Sequence, residues 1–210
     1  MARYIDAVCR LCRREGERLF LKGLKCSSPK CPFARRNFAP GQHGQTQNKH
    51  KVSNYGVQLR EKQKVKRMYG VLEKQFRIYF HMASKTKGVT GKVLLQLLER
   101  RLDNTILRIG FAVSHAQARQ IVRHNFIYIN AKRVNIPSFL VDKDDLIEVK
   151  NKENLRNKVR ENLEMTKDRT VPSWLEVDAK ELKAKILRLP EKEDIPSDIQ
   201  EQLIVELYSK

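Results

Sequence analysis

The chain has 210 residues, of which 40% are hydrophobic and 32% charged, and a formal net charge of +19. That length can bury one large core or two small ones, and a surface so cationic repels itself unless a polyanion covers it. Nucleic acid is the leading partner, because neutralising phosphates releases counterions, and anionic membrane is the rival. No 18-residue apolar run, secretory-type segment near Met1 or lipidation motif is present, so membrane spanning and secretion are not expected and a cytoplasmic location is. The charge is uneven: residues 1–98 hold 22 Lys/Arg against 5 Asp/Glu, residues 99–150 hold 9 against 6, and residues 151–210 hold 12 against 13. Attraction for a polyanion therefore belongs to the N-terminal half.

All four cysteines fall in "CRLCRREGERLFLKGLKCSSPKC", as Cys9, Cys12, Cys26 and Cys31. A reducing compartment argues against disulfides. A close pair, a spacer and a second, slightly wider pair can surround one ion tetrahedrally, as in structural zinc sites; an iron–sulfur cluster is the alternative that spacing leaves open. Four reduced thiols packed as small hydrophobes are the bland reading, and no βαβ pattern supports a redox role. Few large apolar side chains accompany these cysteines, so a metal would fold a segment that a core cannot. Arg10, Arg13, Arg14 and Lys30 would offset the thiolate charge.

Residues 32–53, "PFARRNFAPGQHGQTQNKHKVS", read as an extended basic loop that sets on a partner. In it Gly41 and Gly44 let backbone approach phosphates and adopt positive φ, while Gln42 and His43 offer hydrogen bonds to riboses, phosphates or splayed bases. Arg35, Arg36, Lys49 and Lys51 supply charge on either side. From Asn54 a helix is expected, stopped by Gly70, with Val65, Met68, Tyr69 and Leu72 on one face and Arg60, Lys62, Lys64, Lys66 and Arg67 around the rest, of which Arg60, Lys62, Lys64 and Arg67 are candidate RNA contacts. A second helix carries Leu72, Phe76, Tyr79, Phe80 and Ala83 as a core stripe. The fragment Gly88 to Lys92 lacks the spacing of a phosphate-binding loop.

Thr90 can cap one helix running through Leu94, Leu95, Leu98, Leu102 and Ile106. Ser114 and Gln117 then form a capping box that starts a helix at about His115. Its Ala118, Ile121 and Val122 face inward, and His115, Arg119 and Arg123 recur every four residues as an exposed cationic stripe, a candidate RNA contact. "FIYIN", "KRVNI", "DLIEVK", "WLEVD" and "KAKILRL" give about five strands, with a helix over 153–166. A tight turn is expected at Asn130–Ala131, where alanine would be strained. "EQLIVELYSK" is amphipathic enough to dock on the N-terminal half.

The run "ERRLDNTILRIGFAVSHAQARQIVRHNFIYINAKRVN", residues 99–135, resembles an RNA-binding module shared by several translation and RNA-modification proteins. By resemblance Ser114, His115, Arg119, Arg123, Lys132 and Arg133 present its basic face to RNA, with Ala131 standing where glycine is common. "APGQHGQ", "YGVQLREKQKVKRMYG" and the tail "LRLPEKEDIP" to "QLIVELYSK" closely resemble bacterial-type small-subunit ribosomal protein four, over essentially the whole chain. The resemblance implies a primary binder of small-subunit ribosomal RNA that organises a 5′-domain junction in assembly. It would lie near the messenger entry channel beside small-subunit proteins three and five, as a monomer within the ribosome, and bear on decoding accuracy. Some relatives also repress their own messenger. The resemblance implies a metal held at these places in a structural role, as in four-cysteine relatives; one zinc ion is expected, with an iron–sulfur cluster as the alternative.

The implied fold is α+β. It combines an N-terminal cysteine metal knuckle and helical lobe with a small RNA-binding domain of helices packed on a roughly five-stranded, mostly antiparallel sheet. The expected divisions are a knuckle and basic loop over 1–45, a basic helical lobe over 46–98, the RNA-binding module with its sheet over 99–190 (core 99–150), and a docking tail over 191–210. An RNA-modifying enzyme would need a further catalytic domain; His43, His50, His81, His115 and His124 show no local pairing with carboxylates, so no enzyme is expected. A bacterial, ribosome-bound protein is expected ahead of an organellar one.

Overall fold

A computed structural model describes residues 4–46, 53–195 and 199–209. The chain divides into two compact units, Met1–Leu94 with Ser197–Lys210, and Leu95–Pro196. The class is α+β, and among the described residues no helix is long and apolar enough to cross a membrane.

In the first unit, α1 (Cys9–Glu15), α2 (Leu24–Ser27) and α3 (Pro32–Arg35) are short pieces joined by turns. The longer α4 (Asn54–Met68) is capped by Ser53, whose side chain accepts from Gly56 N–H. It ends as expected at Gly70: with φ at 61°, Gly70 N–H donates to Arg67 and Val71 N–H to Lys66, a Schellman closure that wants a left-handed residue. Next, α5 (Glu73–Lys85) buries Phe76, Tyr79 and Ala83. The C-terminal α10 (Glu201–Tyr208) packs on α4, and Tyr208 lies against the rings of Phe76 and Phe80. Tyr208 also donates to Glu73 at 2.9 Å, and Gln58 donates to Glu206 at 2.8 Å.

The expected single helix from Thr90 through Ile106 is two. α6 (Thr90–Glu99) and α7 (Leu102–Ile109) are separated by Arg101, whose backbone is extended. The break follows from pairing elsewhere: Leu102 N–H donates to Phe139 at 2.8 Å, Asp103 N–H to Pro137 at 3.1 Å, and Arg101 bridges Leu140. The apolar period runs through the break because Leu94, Leu95 and Leu98 of α6 and Leu102 and Ile106 of α7 are all buried. Thr90 is itself the first helical residue.

The second unit holds α7, α8 (His115–Arg123) and α9 (Glu153–Met165) with a five-stranded sheet. Its strands are β1 (Ile127–Ile129), β2 (Lys132–Val134), β3 (Leu146–Val149), β4 (Leu175–Asp178) and β5 (Lys183–Ile186). They are antiparallel throughout, in the order β2-β1-β3-β5-β4. Alternation places Ile127, Ile129, Ile147, Val149, Ala184 and Ile186 on the face toward Leu102, Ile106, Ala118, Val122 and Val159. Trp174, fully buried, closes that core. Both turn residues of the β1–β2 hairpin have positive φ, 49° at Asn130 and 63° at Ala131, so the primed turn forms with alanine in a left-handed conformation. Asn130 holds it there: its Nδ2 donates to Asp145 at 2.8 Å and its Oδ1 accepts from Leu146 N–H at 2.9 Å.

Candidate nucleic-acid interface and cysteine knuckle

On α1, Cys9 and Cys12 lie one turn apart; Cys26 sits on α2 and Cys31 caps α3, ahead of Pro32. None is in a disulfide. Cys12, Leu19, Cys26 and Cys31 are the only buried hydrophobic side chains among described residues 4–31, whereas Ile5, Phe20 and Leu24 are exposed. Burial pushes the Cys12 and Cys26 thiols up, and the closeness of the other sulfurs adds to it. Backbone N–H groups oppose the rise: Leu19 donates to Cys12, and Lys22 donates to Cys26 Sγ at 3.3 Å. Among the described residues no set of three or more His, Cys, Asp or Glu side chains stands in an arrangement that could hold a metal ion.

The basic loop is tied to α1. Arg13 donates to Phe38 O at 3.0 Å and lies 5.0 Å over the Phe38 ring, while Arg14 donates to Pro40 O at 3.3 Å. Gly41 takes the positive φ expected of it, at 110°. Gly44 serves a different purpose from the expected phosphate approach: it is buried, and a Cβ there would meet Ala39 O at 1.8 Å, so the loop's own packing demands glycine. Arg35, Arg36, Gln42 and His43 are exposed. Lys49, His50 and Lys51 lie outside the described residues.

The largest difference from expectation concerns α4. Its cations are spent on carboxylates of the same unit. Arg60 reaches Glu15 at 3.4 Å and Arg67 binds the same carboxylate, whose side chain is 1% exposed. Lys62 is buried, pairs with Glu73 at 2.9 Å and lies over the Tyr208 ring, and Lys66 joins the same carboxylate at 3.1 Å. Lys64 lies between Glu61 and Glu17 at 3.1 and 3.4 Å. Four of the five acidic residues in the first 98, Glu61 of α4 itself among them, therefore pair with cations of this helix. Burial works against ionisation of Glu73, yet Lys62, Lys66 and the Tyr208 hydroxyl outweigh it and hold its carboxyl down at about 2. Such pairs position α1 and α10 rather than present charge outward. Further outward cations of this unit include Arg18, Lys22 and Lys25 of the knuckle and Lys74, Arg77 and Lys85 of α5, all exposed. Sequence reasoning passed over them, although Arg77, His81 and Lys85 recur every four residues on α5 as His115, Arg119 and Arg123 do on α8.

In the second unit Ser114 caps α8 as expected, accepting from Gln117 N–H at 3.4 Å. The return bond is displaced by one residue, since Gln117 Oε1 accepts from Val113 N–H at 2.8 Å while its Nε2 donates to Asn162 at 3.2 Å. The expected exposed stripe is only partly so. Arg123 is exposed, but His115 is half-buried and Arg119 turns back to Asp103 at 3.4 Å with its side chain 12% exposed. The anion that quiets this row is the protein's own aspartate. Asp103 also takes both arms of Arg101, at 3.0 and 2.7 Å, and beside it Glu99 takes both arms of Arg108, at 3.0 and 2.6 Å. Burial lowers His115 to about 4; Asp103 opposes that, while Arg108, Arg101 and Arg169 reinforce it. Lys132 and Arg133 are exposed on the hairpin. Arg108 and Arg169 were not legible beforehand: α7 and the segment after α9 are distant in sequence and share no motif.

A helix start, a hairpin and an outward basic rim on one small sheet are what an RNA-binding surface requires. Residues 3–99 match the ribosomal protein S4/S9 N-terminal domain, and residues 100–147 match the S4 domain. The chain belongs to the uS4 family of small ribosomal subunit proteins. It is 58% identical over 210 residues to the small ribosomal subunit protein uS4 of Acetivibrio thermocellus, covering 100% of both chains. The corresponding proteins of Dictyoglomus turgidum and Thermodesulfovibrio yellowstonii are 57% and 55% identical over the same 210 residues, again with 100% of both chains covered.

Proposed function

We propose that this chain is a structural, non-enzymatic constituent of the bacterial small ribosomal subunit and binds its ribosomal RNA directly. The observation that carries the reading is full-length similarity, at 55–58% identity, to proteins named for that subunit. The charge of residues 1–98 and the basic rim of the hairpin support it. Contacts come from exposed groups: Arg35, Arg36, Gln42 and His43 of the loop, Arg123 at the end of α8, and Lys132 and Arg133 of the hairpin. Two units carrying dispersed cations suit a junction recognised by shape, with phosphate contacts predominating over base reading. In assembly the chain organises a 5′-domain junction and sits near the messenger entry channel beside small-subunit proteins three and five, where it bears on decoding accuracy. Binding of a 5′-domain ribosomal RNA fragment in preference to an equally long unrelated RNA, with affinity falling steeply as salt rises, is the expected result. Equal affinity for both RNAs would defeat the proposal.

The four cysteines are proposed to hold one structural zinc ion, with an iron–sulfur cluster as the other occupant that thiolates suit. Three buried thiols and one buried leucine make a poor core, and N–H groups directed at Cys12 and Cys26 favour thiolate. The sulfurs must draw together to bind. Zinc would supply cross-linking of α1, α2 and α3, not chemistry. Metal and sulfide analysis of protein purified without oxygen or chelator decides it: one zinc per chain is expected, iron with sulfide would make it a cluster, and neither would return the stretch to packed thiols.

A further inference from the structure

The first unit is closed by chain that returns to it. Residues 95–196 form the second unit, and α10 belongs again to the first. Among the described elements, α10 is the helix that packs most extensively on α4. Gln58 of α4 donates to Glu206 at 2.8 Å, and Glu61 of α4 accepts from Gln200 N–H, just ahead of α10, at 3.0 Å. Tyr208 sets its ring 4.6 Å from that of Phe80 on α5 and 5.7 Å from the Lys62 ammonium of α4, and its hydroxyl donates to Glu73 of α5. At the other end of α10, Glu201 lies so near the first turn of α6 that a Cβ at Gly91 would fall 2.5 Å from its Cγ. What α10 supplies is scarce in residues 1–94. The side chains that α4 buries are Gln58 and Lys62 beside Val65, so few apolar contacts hold it, and a helix of that length is marginal by itself. Ile199 and Ile204, 2% and 0% exposed, bring apolar burial to the same unit. In turn α4 holds α1 through Glu15, and α1 holds the basic loop through Arg13 and Arg14. Dependence therefore runs from α10 to α4, from α4 to α1, and from α1 to the loop.

We infer that α10 is a strap. It completes one cooperative unit with α4 and α5, so the unit whose residues are made first folds only after the second unit has been made. Domains ordinarily fold in the order of their synthesis, N-terminal first; here that order is reversed. At about 5–20 residues per second, roughly ten seconds separate the synthesis of α5 from that of α10. During that interval the basic loop has no fixed anchor, and the first unit becomes competent for RNA only when the strap closes. This last consequence rests on the RNA-binding reading above; the strap itself does not.

The test is native-state amide exchange in the full chain, with Trp174 fluorescence reporting the second unit. Tyr208→Ala should speed exchange in α4, α5 and α10 together by about ten- to a hundredfold, as removal of a half-buried aromatic from a cooperative unit does, and leave β1, β3 and Trp174 as they are. Tyr208→Phe, which loses only the hydroxyl bond to Glu73, should speed the same three helices by about fivefold; it carries the test if the alanine variant leaves the first unit unfolded. Gln202→Ala, an exposed change on α10, should alter none of them. Binding of the 5′-domain RNA fragment by Tyr208→Ala should weaken at every salt concentration with an unchanged salt slope, because no phosphate contact is removed. In synchronised translation of the full chain, trypsin pulses should cut within α4 until α10 has been made, while Leu95–Pro196 is already resistant. Acceleration confined to α10, with α4 and α5 exchanging as in the unaltered chain, would make the helix an appendage and overturn the strap. Loss of the Trp174 signal in step with α4, or a trypsin-resistant α4 before α10 is made, would overturn the reversed order. The exchange outcomes need no RNA: if the unaltered chain shows no preference for the ribosomal fragment, the functional reading falls and the strap is still decided by exchange.

Discussion

Replacing Ala131 by glycine should stabilise the second unit, although it removes side-chain carbon from a folded protein. Ala131 has a φ of 63° in an exposed turn, next to Asn130 at 49°. A non-glycine residue in that region costs about 1–2 kcal/mol. Glycine avoids that cost but gives the unfolded chain more freedom, worth about 0.4–1 kcal/mol. The difference favours the variant by about 0.5–1 kcal/mol, which for a unit of this size is a rise of roughly 2–6 °C in Tm. The assay is thermal unfolding followed by fluorescence of Trp174, the sole tryptophan and fully buried in that unit. Because Asn130 fixes the turn through Asp145 and Leu146, the hairpin register should be unchanged, with Tyr128 still opposite Arg133. A lower Tm, or a shifted register in cross-strand nuclear Overhauser contacts, would refute the argument that the turn stores strain.

Trp174→Ala should cost about 3–5 kcal/mol and unfold the second unit near physiological temperature, read by circular dichroism; Trp174→Phe should cost less, because the indole N–H has no hydrogen-bond partner. The Glu73 carboxyl, held at about 2, contributes stability that is complete above its unfolded value of roughly 4.3 and is lost as pH falls toward 2. Amide exchange in α10 should therefore accelerate across that acid window, and Glu73→Gln should flatten the dependence. Glu15→Gln removes the carboxylate shared by Arg60 and Arg67 and should loosen α1 by roughly 1–3 kcal/mol, seen as faster exchange there. Gly44→Ala should disrupt the loop, since its Cβ would fall 1.8 Å from Ala39 O; weakened RNA binding with α4 intact is the expected readout.

Sequence by itself determined what local physics controls. The α8 cap at Ser114, the stop at Gly70, the strained turn at Asn130–Ala131 and the five strands follow from φ preferences, short-range hydrogen bonds and β propensity, and each appears in the structure. The motifs of residues 39–45, 55–70 and 99–135 likewise sufficed for the family. Tertiary structure alone decided which charges face outward. Periodicity finds the apolar face of a helix, but it does not tell a lysine bound for solvent from one bound for a carboxylate far along the chain. Lys62 meets Glu73, Arg67 meets Glu15, and Arg119 meets Asp103 only once the helices are packed. The same limit hid the break at Arg101, made by backbone bonds to residues 137 and 139, and kept Arg169 out of view until α9 carried it to the start of α8. Long-range pairing is set by where the chain returns in space, and a local pattern holds no record of that.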